Sequence, residues 1–292
     1  MKINSQLINT TLKEYNVQVD WRSIMNYAAA VNDDNPQYFN DESNNGIKAP
    51  PLFPVAVTWP IIANISHSIN SENFPQRVFA KIVHYYEHLK IYRLIKPNDE
   101  IKIQGKITAI LPHRAGTQII LKLEAKDKNN NPIFTEYNGG MLRGVKCVGD
   151  GIGEESLPLR TFLKSNDECV WKKDVFIDKL RSFVYDGCTD IIFPIHTSKK
   201  FAHFVGLPDI ILQGTATLAF AVKEIINFES EGDPNKVQEI ACNFSGMVYP
   251  DSNISVQVKK KKEAGNSKEI FFEVYNHENR KAIRNGYILL KK

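Results

Sequence analysis

The sequence predicts an α+β fold built from two similar halves, each an antiparallel sheet wrapped around one helix. Three observations predict it: a series of features that occurs twice, stretches that alternate apolar and polar residues, and one long apolar helical segment. The chain has 292 residues, which is room for one large domain or two of about 150. Apolar residues make up 42% and charged residues 24%, a balance that allows a full core.

The repeat consists of four features in the same order: a polar loop with a proline, an apolar segment, strands around a turn, and an alternating hairpin. Pro36 and Pro194, in the two loops, are 158 residues apart. Pro97 and Pro250, in the two turns, are 153 residues apart. Because the offset is nearly constant and this long, it indicates a duplicated domain and not a solenoid.

A capping residue predicts the start of the first helix, and prolines predict the form of the helix in the apolar segment. Asp20 is a capping residue for a helix over Trp21–Val31. In the apolar segment 49–66, Pro54 and Pro60 predict a helix that is short or broken.

The strands and the long helix are predicted from periodicity. Apolar and polar residues alternate over Lys102–Ile110, Thr117–Lys126 and Glu269–Tyr275. Asparagine-rich segments at 129–132 and 276–279 supply the turns of two hairpins. Thr215–Asn227 is apolar on most faces, as a helix enclosed by a sheet requires.

The segment between the two repeats is predicted to be a linker. Glycines and prolines are frequent between Val145 and Asp174. We therefore predict an N-terminal domain over 1–145, a linker over 146–174 and a C-terminal domain over 175–292.

Composition excludes several classes of protein. The net charge is +4, and the run Lys259–Lys262 predicts a solvated strand end or hairpin. The sequence contains no helix-turn-helix, zinc finger or RNA-recognition motif, so nucleic acid is not an expected partner. It also contains no apolar run long enough to span a bilayer.

Cysteine usage and the N-terminus indicate a compartment. Cys147, Cys169, Cys188 and Cys242 are scattered without a Cys-x-x-Cys pair, which predicts no zinc site and fits a reducing environment. The first residues lack the apolar core of a signal peptide. The expected location is the cytoplasm.

One stretch combines two parts of a catalytic site. Phe193-Pro194-Ile195-His196 precedes Gly214, which stands at the start of the apolar helix. A titratable imidazole can move a proton, and a helix N-terminus can stabilise a developing oxyanion.

On these residues the chain resembles the (R)-specific enoyl-CoA hydratases of the hotdog fold, the MaoC-like dehydratases. Their signature reads roughly Asp-x-Asn-Pro-x-His, then a gap, then Pro-x-x-His-Gly and a helix of small residues. The resemblance covers nearly the whole chain and implies a double hotdog, that is, two tandem hotdog folds with their sheets side by side. It further implies that the C-terminal half is catalytic and that the N-terminal half shelters the acyl chain.

The family adds water to a trans-2-enoyl thioester or removes it from the (R)-3-hydroxyacyl thioester. The resemblance implies that His196 is the acid–base residue and that Gly214 is the oxyanion donor. Asp190 is the implied carboxylate, but it lies six residues before His196 where the family has five, and position 191 is isoleucine. Either an inserted residue or bulge brings Asp190 into the site, or Asp190 is a turn residue, as Asp186 can also be.

The resemblance also implies the substrate contacts and the partners. Substrate-binding candidates are Phe193, Gln213, Thr215, Pro54 and Trp59. Lys199, Lys200 and the lysine run are candidates for the phosphates of coenzyme A. The substrate is an acyl-CoA or acyl-carrier-protein thioester. We expect no cofactor and no metal, because the thioester itself acidifies C2, and pairing into a homodimer is left open.

The N-terminal half carries an altered version of the same loop. It keeps Asp33 and Asn35 but has Tyr38 where the family has histidine. Because a phenol has a pKa of about 10, it is a poor base at neutral pH, and we predict a loop used for binding or structure. His84 and His88 form an aromatic–histidine cluster with Tyr85 and Tyr86, which either resembles a histidine segment of the family or is ordinary strand packing.

Two other functions remain open at this point. The altered spacing between Asp190 and His196 favours an acyl-CoA binder without activity, or one subunit of a heteromeric hydratase. A hotdog thioesterase would use the same fold and a carboxylate to direct water at the thioester carbonyl.

Overall fold

The structure, a computed structural model, describes residues 1–71, 74–153 and 168–292. The strands are β1 (Lys2–Asn4), β2 (Tyr15–Gln18), β3 (Ile82–Ile91), β4 (Glu100–His113), β5 (Gly116–Asp127), β6 (Pro132–Arg143), β7 (Lys146–Val148), β8 (Ile152–Gly153), β9 (Trp171–Ile177), β10 (Val237–Phe244), β11 (Ser252–Ala264), β12 (Ser267–Tyr275) and β13 (Lys281–Lys291). The helices are α1 (Trp21–Ala30), α2 (Pro36–Phe39), α3 (Pro54–Ala63), α4 (Ile65–Ser68), α5 (Arg181–Thr189), α6 (Lys199–Phe204) and α7 (Gly214–Glu229).

One large sheet joins the two halves of the chain. Its strand order is β2-β4-β5-β6-β3-β10-β13-β12-β11-β9, with β8 added beside β4. The first five strands and the last five have the same topology, read outward from the centre. The halves meet where β3 pairs antiparallel with β10. The duplicated domain and the double hotdog are therefore confirmed.

The helix predicted after Asp20 is present. The Asp20 carboxylate accepts a hydrogen bond from the Ser23 N–H at 2.8 Å, which satisfies one of the free donors at the helix start. The helix, α1, ends at Ala30, one residue before the predicted end. It packs against its counterpart α5 in the other half.

The two central helices differ in length as the prolines predict. The C-terminal one, α7, has 16 residues, and most of its side chains are buried. The N-terminal one, α3, has 10 residues and contains Pro60, after which the chain turns into the short α4. Because a proline inside a helix removes a hydrogen bond and clashes with the preceding turn, the shorter helix follows from the sequence.

The predicted strands lie within β4, β5 and β12. The lysine run 259–262 lies on β11, close to the turn that leads into β12, as predicted. Lys261 forms an ion pair of 2.5 Å with Glu229 at the C-terminal end of α7.

The predicted linker 146–174 lies partly outside the described residues, since 154–167 are not described. Its described ends contain β7, which pairs with β1, and β8, which pairs with β4. The domain boundaries stay a prediction. Among the described helices, none is both long and apolar enough to span a membrane.

Candidate active site

His196 is held in one orientation by a backbone hydrogen bond. It ends a 3-10 turn, Pro194–His196, that follows α5. Its Nδ1 lies 2.8 Å from the carbonyl oxygen of Ile211, and because a carbonyl only accepts, Nδ1 carries the proton. Burial lowers the pKa of His196 to about 4, so the ring is neutral at pH 7. Nε2 is then the free acceptor of the ring, which is the form a general base requires.

The loop before His196 is tied to α5 and presents an aromatic ring to solvent. Phe193 is 44% exposed, and its ring lies 6.3 Å from that of His196 between centroids. The Phe193 N–H donates to the carboxylate of Asp186, whose pKa is raised by burial. Asp186 thus anchors the loop from within α5 and is not a turn residue. Substrate contact by Phe193 stays a prediction.

Asp190 lies at the C-terminal end of α5. Its backbone has φ of 56°, the left-handed conformation common at helix ends, and its N–H donates to the Asp186 carbonyl at 3.1 Å. The residue is exposed. Among the described residues, no hydrogen bond joins Asp190 to His196. Its catalytic role stays a prediction, and the geometry gives it no support.

Gly214 is the first residue of α7, and a side chain at this position would crowd a neighbouring ring. A Cβ placed on Gly214 would lie 3.0 Å from Cδ1 of Phe244, which is tighter than normal packing. The first N–H groups of a helix have no partner within the helix, and the helix dipole makes them good anion donors. The position therefore suits the oxyanion role that the resemblance implies.

Both neighbours of Gly214 are buried and bonded to α5. Gln213 donates from Nε2 to the Ser182 carbonyl at 3.2 Å, while its Oε1 is buried and without a partner among the described residues. The Thr215 hydroxyl accepts a hydrogen bond of 3.1 Å from the Tyr185 hydroxyl. These contacts fix the start of α7, and substrate binding by Gln213 and Thr215 stays a prediction.

A second histidine approaches Gly214 from the other half. The ring of His84, on β3, lies 4.6 Å from that of Phe244 between centroids. His84 Nε2 lies 3.1 Å from the Tyr86 carbonyl and 3.2 Å from Oε2 of Glu87. Burial lowers the pKa of His84 to about 4. Phe244 therefore links the glycine of one half to a neutral histidine of the other.

Two carboxyl groups lie directly behind His84. Glu87 on β3 and Glu136 on β6 are both fully buried, and Asn138 on β6 donates to each, at 3.3 Å and 3.2 Å. Burial raises the pKa of both carboxyls well above the usual range. The sequence pattern alone does not identify Glu87, Glu136, Asn138 or Phe244 as functional residues. The available signal is that Glu136 and Asn138 are two residues apart in a strand and so share a face.

The remaining predicted contacts lie apart from His196. Pro54 begins α3 and is buried, and Trp59 is half-buried on the same helix. In the described part of the chain, neither forms a hydrogen bond or ring contact with His196. Their role in sheltering an acyl chain stays a prediction.

Two of the lysines predicted to bind phosphates form ion pairs with carboxylates of the chain itself. Lys199 pairs with Asp209 at 3.1 Å, and Lys261 pairs with Glu229. Binding of coenzyme A phosphates by these lysines stays a prediction. Within residues 1–71, 74–153 and 168–292, no group of three or more His, Cys, Asp or Glu is placed to hold a metal ion.

Comparison with known proteins gives two family matches. The family described as "MFE-2 hydratase 2 N-terminal domain" matches residues 17–144, and the family described as "MaoC like domain" matches residues 174–282. The crystal structure of a MaoC-like dehydratase from Phytophthora capsici aligns with a TM-score of 0.83 at 19% identity, over 98% of both chains.

Curated relatives agree with these matches. A protein named "Probable enoyl-CoA hydratase 2" from Dictyostelium discoideum is 20% identical over 258 residues, which is 87% of this chain and 86% of the relative. The peroxisomal multifunctional enzyme type 2 of Mus musculus is 20% identical over 211 residues. That match covers 72% of this chain but only 28% of the mouse protein.

Proposed function

We propose that this chain, whose two halves match the MFE-2 hydratase 2 N-terminal domain and the MaoC like domain, catalyses the reversible addition of water to a trans-2-enoyl thioester. The enzyme is thus a hydro-lyase, and its product in the hydration direction is the (R)-3-hydroxyacyl thioester. The observation that carries the proposal is His196, which is neutral and has no hydrogen bond at Nε2 among the described residues, in the loop that precedes the glycine start of α7.

Hydration requires a base for water, a donor for the thioester oxygen and a proton for C2. His196 Nε2 takes a proton from water as the water oxygen bonds to C3. The Gly214 N–H, aided by the dipole of α7, stabilises the negative charge that develops on the thioester oxygen. A proton then reaches C2. The chain's own residues suffice for these steps, and we propose that no cofactor takes part.

The first experiment follows the absorbance of the conjugated enoyl thioester with crotonyl-CoA and with a longer trans-2-enoyl-CoA. Wild type is expected to consume both or one of them and to form the (R) product on chiral analysis. His196→Ala is expected to lose at least about 100-fold in kcat/KM, the usual contribution of a general base. His203→Ala, a histidine on the exposed helix α6, serves as the matched control and should retain activity.

The pH profile gives an independent check on His196. Because its pKa is about 4, the neutral form predominates from about pH 5 upward. We expect the acid limb of kcat/KM to lie below pH 5. An acid limb near pH 6.5, the ordinary histidine value, would mean that His196 is not the base.

One observation favours a second function. Isoleucine at 191 and the exposed position of Asp190 leave His196 without a carboxylate in its own loop. Saturable acyl-CoA binding without loss of the enoyl absorbance would therefore indicate an acyl-CoA binder or a subunit of a heteromeric hydratase. Release of free coenzyme A thiol would indicate the thioesterase.

The carrier, assembly and compartment are also proposals. We propose acyl-CoA, or the corresponding acyl-carrier-protein thioester, as the form of the substrate, and a homodimer as one assembly to test by sedimentation. We propose the cytoplasm as the location, although the mouse relative is named as peroxisomal. Fluorescence imaging of the tagged full-length protein would decide between the two compartments.

A further inference from the structure

A polar cluster lies in the core at the seam between the two halves. It consists of His84 and Glu87 on β3 and Glu136 and Asn138 on β6. Glu87 pairs in register with Asn138 on one side and with Cys242 of β10 on the other. The cluster therefore lies within one strand of the β3–β10 junction, on the face covered by the central helices.

The two acids of this cluster are incompletely satisfied. One amide nitrogen, Nδ2 of Asn138, contacts an oxygen of each acid. Oε1 of Glu87 and Oε2 of Glu136 are buried and have no hydrogen-bond partner among the described residues. Leaving a buried polar atom without a partner lowers stability, and an unpaired ionised carboxylate lowers it more. Two such acids lower the stability of the core, and this cost indicates that they have a function.

The charge state of the pair follows from its surroundings. Burial is the main cause that raises the pKa of both acids, and for Glu136 the repulsion of Glu87 adds to it. Among the described residues, no lysine or arginine is a cause of these shifts. The other titratable groups that face Glu87 are Tyr27 of α1, Tyr185 of α5 and Cys242 of β10. Both acids therefore hold a proton more readily than an exposed glutamate does.

The cluster has one side chain that reaches out of the core. The side chain of His84 is 30% exposed, whereas that of Glu87 is fully buried. His84 Nε2 lies 3.2 Å from Nδ2 of Asn138, which only donates, and 3.2 Å from Oε2 of Glu87. We infer from the Asn138 contact that Nε2 is the accepting nitrogen and that Nδ1, which has no partner among the described residues, carries the ring proton. Because the His84 ring packs on Phe244, and Phe244 packs on Gly214, His84 faces the helix start where the thioester oxygen is proposed to bind.

We propose that Glu87 and Glu136 are a pair of protonated acids that supplies, through His84, the proton that hydration delivers to C2. This inference rests on the proposed function. It assigns the missing carboxyl group to the N-terminal half, in place of Asp190. Glu87 and Glu136 are positioning and proton-supplying residues, and His84 is the group that meets the substrate.

Hydration takes one proton from water and adds one proton to C2. Water loses one proton to Nε2 of His196 as its oxygen bonds to C3. The Nδ1–H of His84 gives its proton to C2 as the C2–C3 π bond is lost, and Glu87 gives its proton to Nε2 of His84. His196 is then protonated and the acid pair is ionised. Exchange with solvent through the partly exposed His84 returns one proton to the pair, and His196 loses its extra proton to solvent.

The experiment measures kcat and KM against pH for trans-2-enoyl-CoA hydration by wild type, Glu87→Gln and Glu136→Gln. Glu87→Gln should lower kcat by at least about 100-fold with little change in KM, because a proton donor is lost and binding is not. Wild type should show an alkaline limb as the pair ionises. Glu136→Gln should move that limb to lower pH, since the repulsion that favours the protonated form of Glu87 is gone.

Controls separate this role from a structural one. Glu273→Gln removes a buried glutamate of β12 that bonds to Lys281 and Tyr275, and it should leave kcat unchanged. Glu87→Asp, which retains the acid, should recover part of the lost kcat. Thermal unfolding of each variant checks the fold. A Glu87→Gln enzyme with wild-type kcat and pH profile would overturn the acid pair while leaving the hydratase intact.

A second measurement does not depend on any variant folding. Infrared spectra of wild type at pH 7 should contain the carbonyl stretch of protonated carboxylic acids, which ionised carboxylates lack. Absence of that band would overturn the inference directly. Failure of wild type to hydrate any enoyl-CoA would instead overturn the proposed function, and the inference with it.

Discussion

The two proline loops of this chain, 32–38 and 190–196, occupy equivalent positions in the repeat but differ in the hydrogen bonds that their side chains form. Asn35 of the first loop donates to the Gly232 carbonyl at 2.6 Å, just beyond the end of α7. Gln37 continues the contact with Asp233 and Asn235. In the second loop, the equivalent residue Phe193 is exposed and His196 keeps one nitrogen free. The first loop therefore acts as a clamp, in which the side chains of Asn35 and Gln37 hold the segment after α7. The second loop leaves one nitrogen of His196 without a hydrogen bond among the described residues.

Burial follows the same division. Tyr38, at the position equivalent to His196, is 0% exposed, and its hydroxyl has no partner among the described residues. Asp33 lies beside it and is 7% exposed. The two residues line a cavity of about 10 Å³, which also contacts Lys223 of α7. Because these two side chains are buried, they offer no access to a substrate, so the two loops differ in packing as well as in residue type.

The strongest test of this comparison moves the histidine from one loop to the other. His196→Ala combined with Tyr38→His should leave hydration at least about 100-fold below wild type, as low as His196→Ala alone. The reason is that position 38 is enclosed. Enoyl-CoA turnover measures the effect, and recovery of activity in the double variant would show that the two loops are still equivalent.

Asp33→Asn should raise stability at neutral pH. Burial raises the pKa of Asp33 from its ordinary value of 3.8 to about 6 in the folded chain. The unfolded chain therefore ionises first as pH rises, so stability is full below about pH 3.8 and is lost as pH passes about 6. The loss is on the order of 3 kcal/mol at pH 8, and the asparagine variant avoids it.

Urea unfolding at pH 4 and pH 8 measures this difference. Asp190→Asn, in the exposed loop, is the control and should change stability by less than about 0.5 kcal/mol. Equal effects of Asp33→Asn at both pH values would contradict the prediction.

Asn35→Ala should destabilise the chain by about 1–2 kcal/mol, because the Gly232 carbonyl loses a partly buried partner. Phe193→Ala, at the equivalent exposed position, should change stability by less than about 0.5 kcal/mol. Thermal unfolding compares the two variants. If both positions proved equally sensitive, the clamp would not be specific to the first loop.

The smallest effect is expected at the two buried tyrosines. Tyr38→Phe removes a hydroxyl without a partner among the described residues and should stabilise by up to about 1 kcal/mol. Tyr185→Phe removes a hydroxyl bonded to Thr215 and should destabilise by about 1 kcal/mol. Opposite signs in chemical denaturation support the difference in hydrogen bonding of the two hydroxyls; equal signs would count against it.

The sequence was sufficient to predict the architecture. The 158-residue offset, the alternating strands and Pro60 predicted the duplication, the sheet and the shortened α3, and the structure contains all three. These features depend on local period and backbone chemistry, which a single sequence displays. The position of His196 ahead of the α7 start was also predicted.

The acid pair could not be predicted from periodicity. In a regular strand, residues 84 and 87 point to opposite faces. A bulge between His84 and Tyr86 shifts the register and turns His84 and Glu87 to the same side. The position of Asp190 was hidden for a related reason, since the left-handed end of α5 turns it outward. Both are irregularities that the pattern of apolar residues does not record.

The antiparallel pairing of β3 with β10 has a consequence for how such a molecule can diverge. When two identical subunits assemble about a twofold axis, any substitution is present at both sites at once. Here the two copies are encoded separately in one chain, so a change at 38 leaves 196 untouched. The two halves can therefore diverge in sequence while their sheets stay joined. The N-terminal half can take a structural role, and its strand β3 still lies beside the candidate site of the C-terminal half.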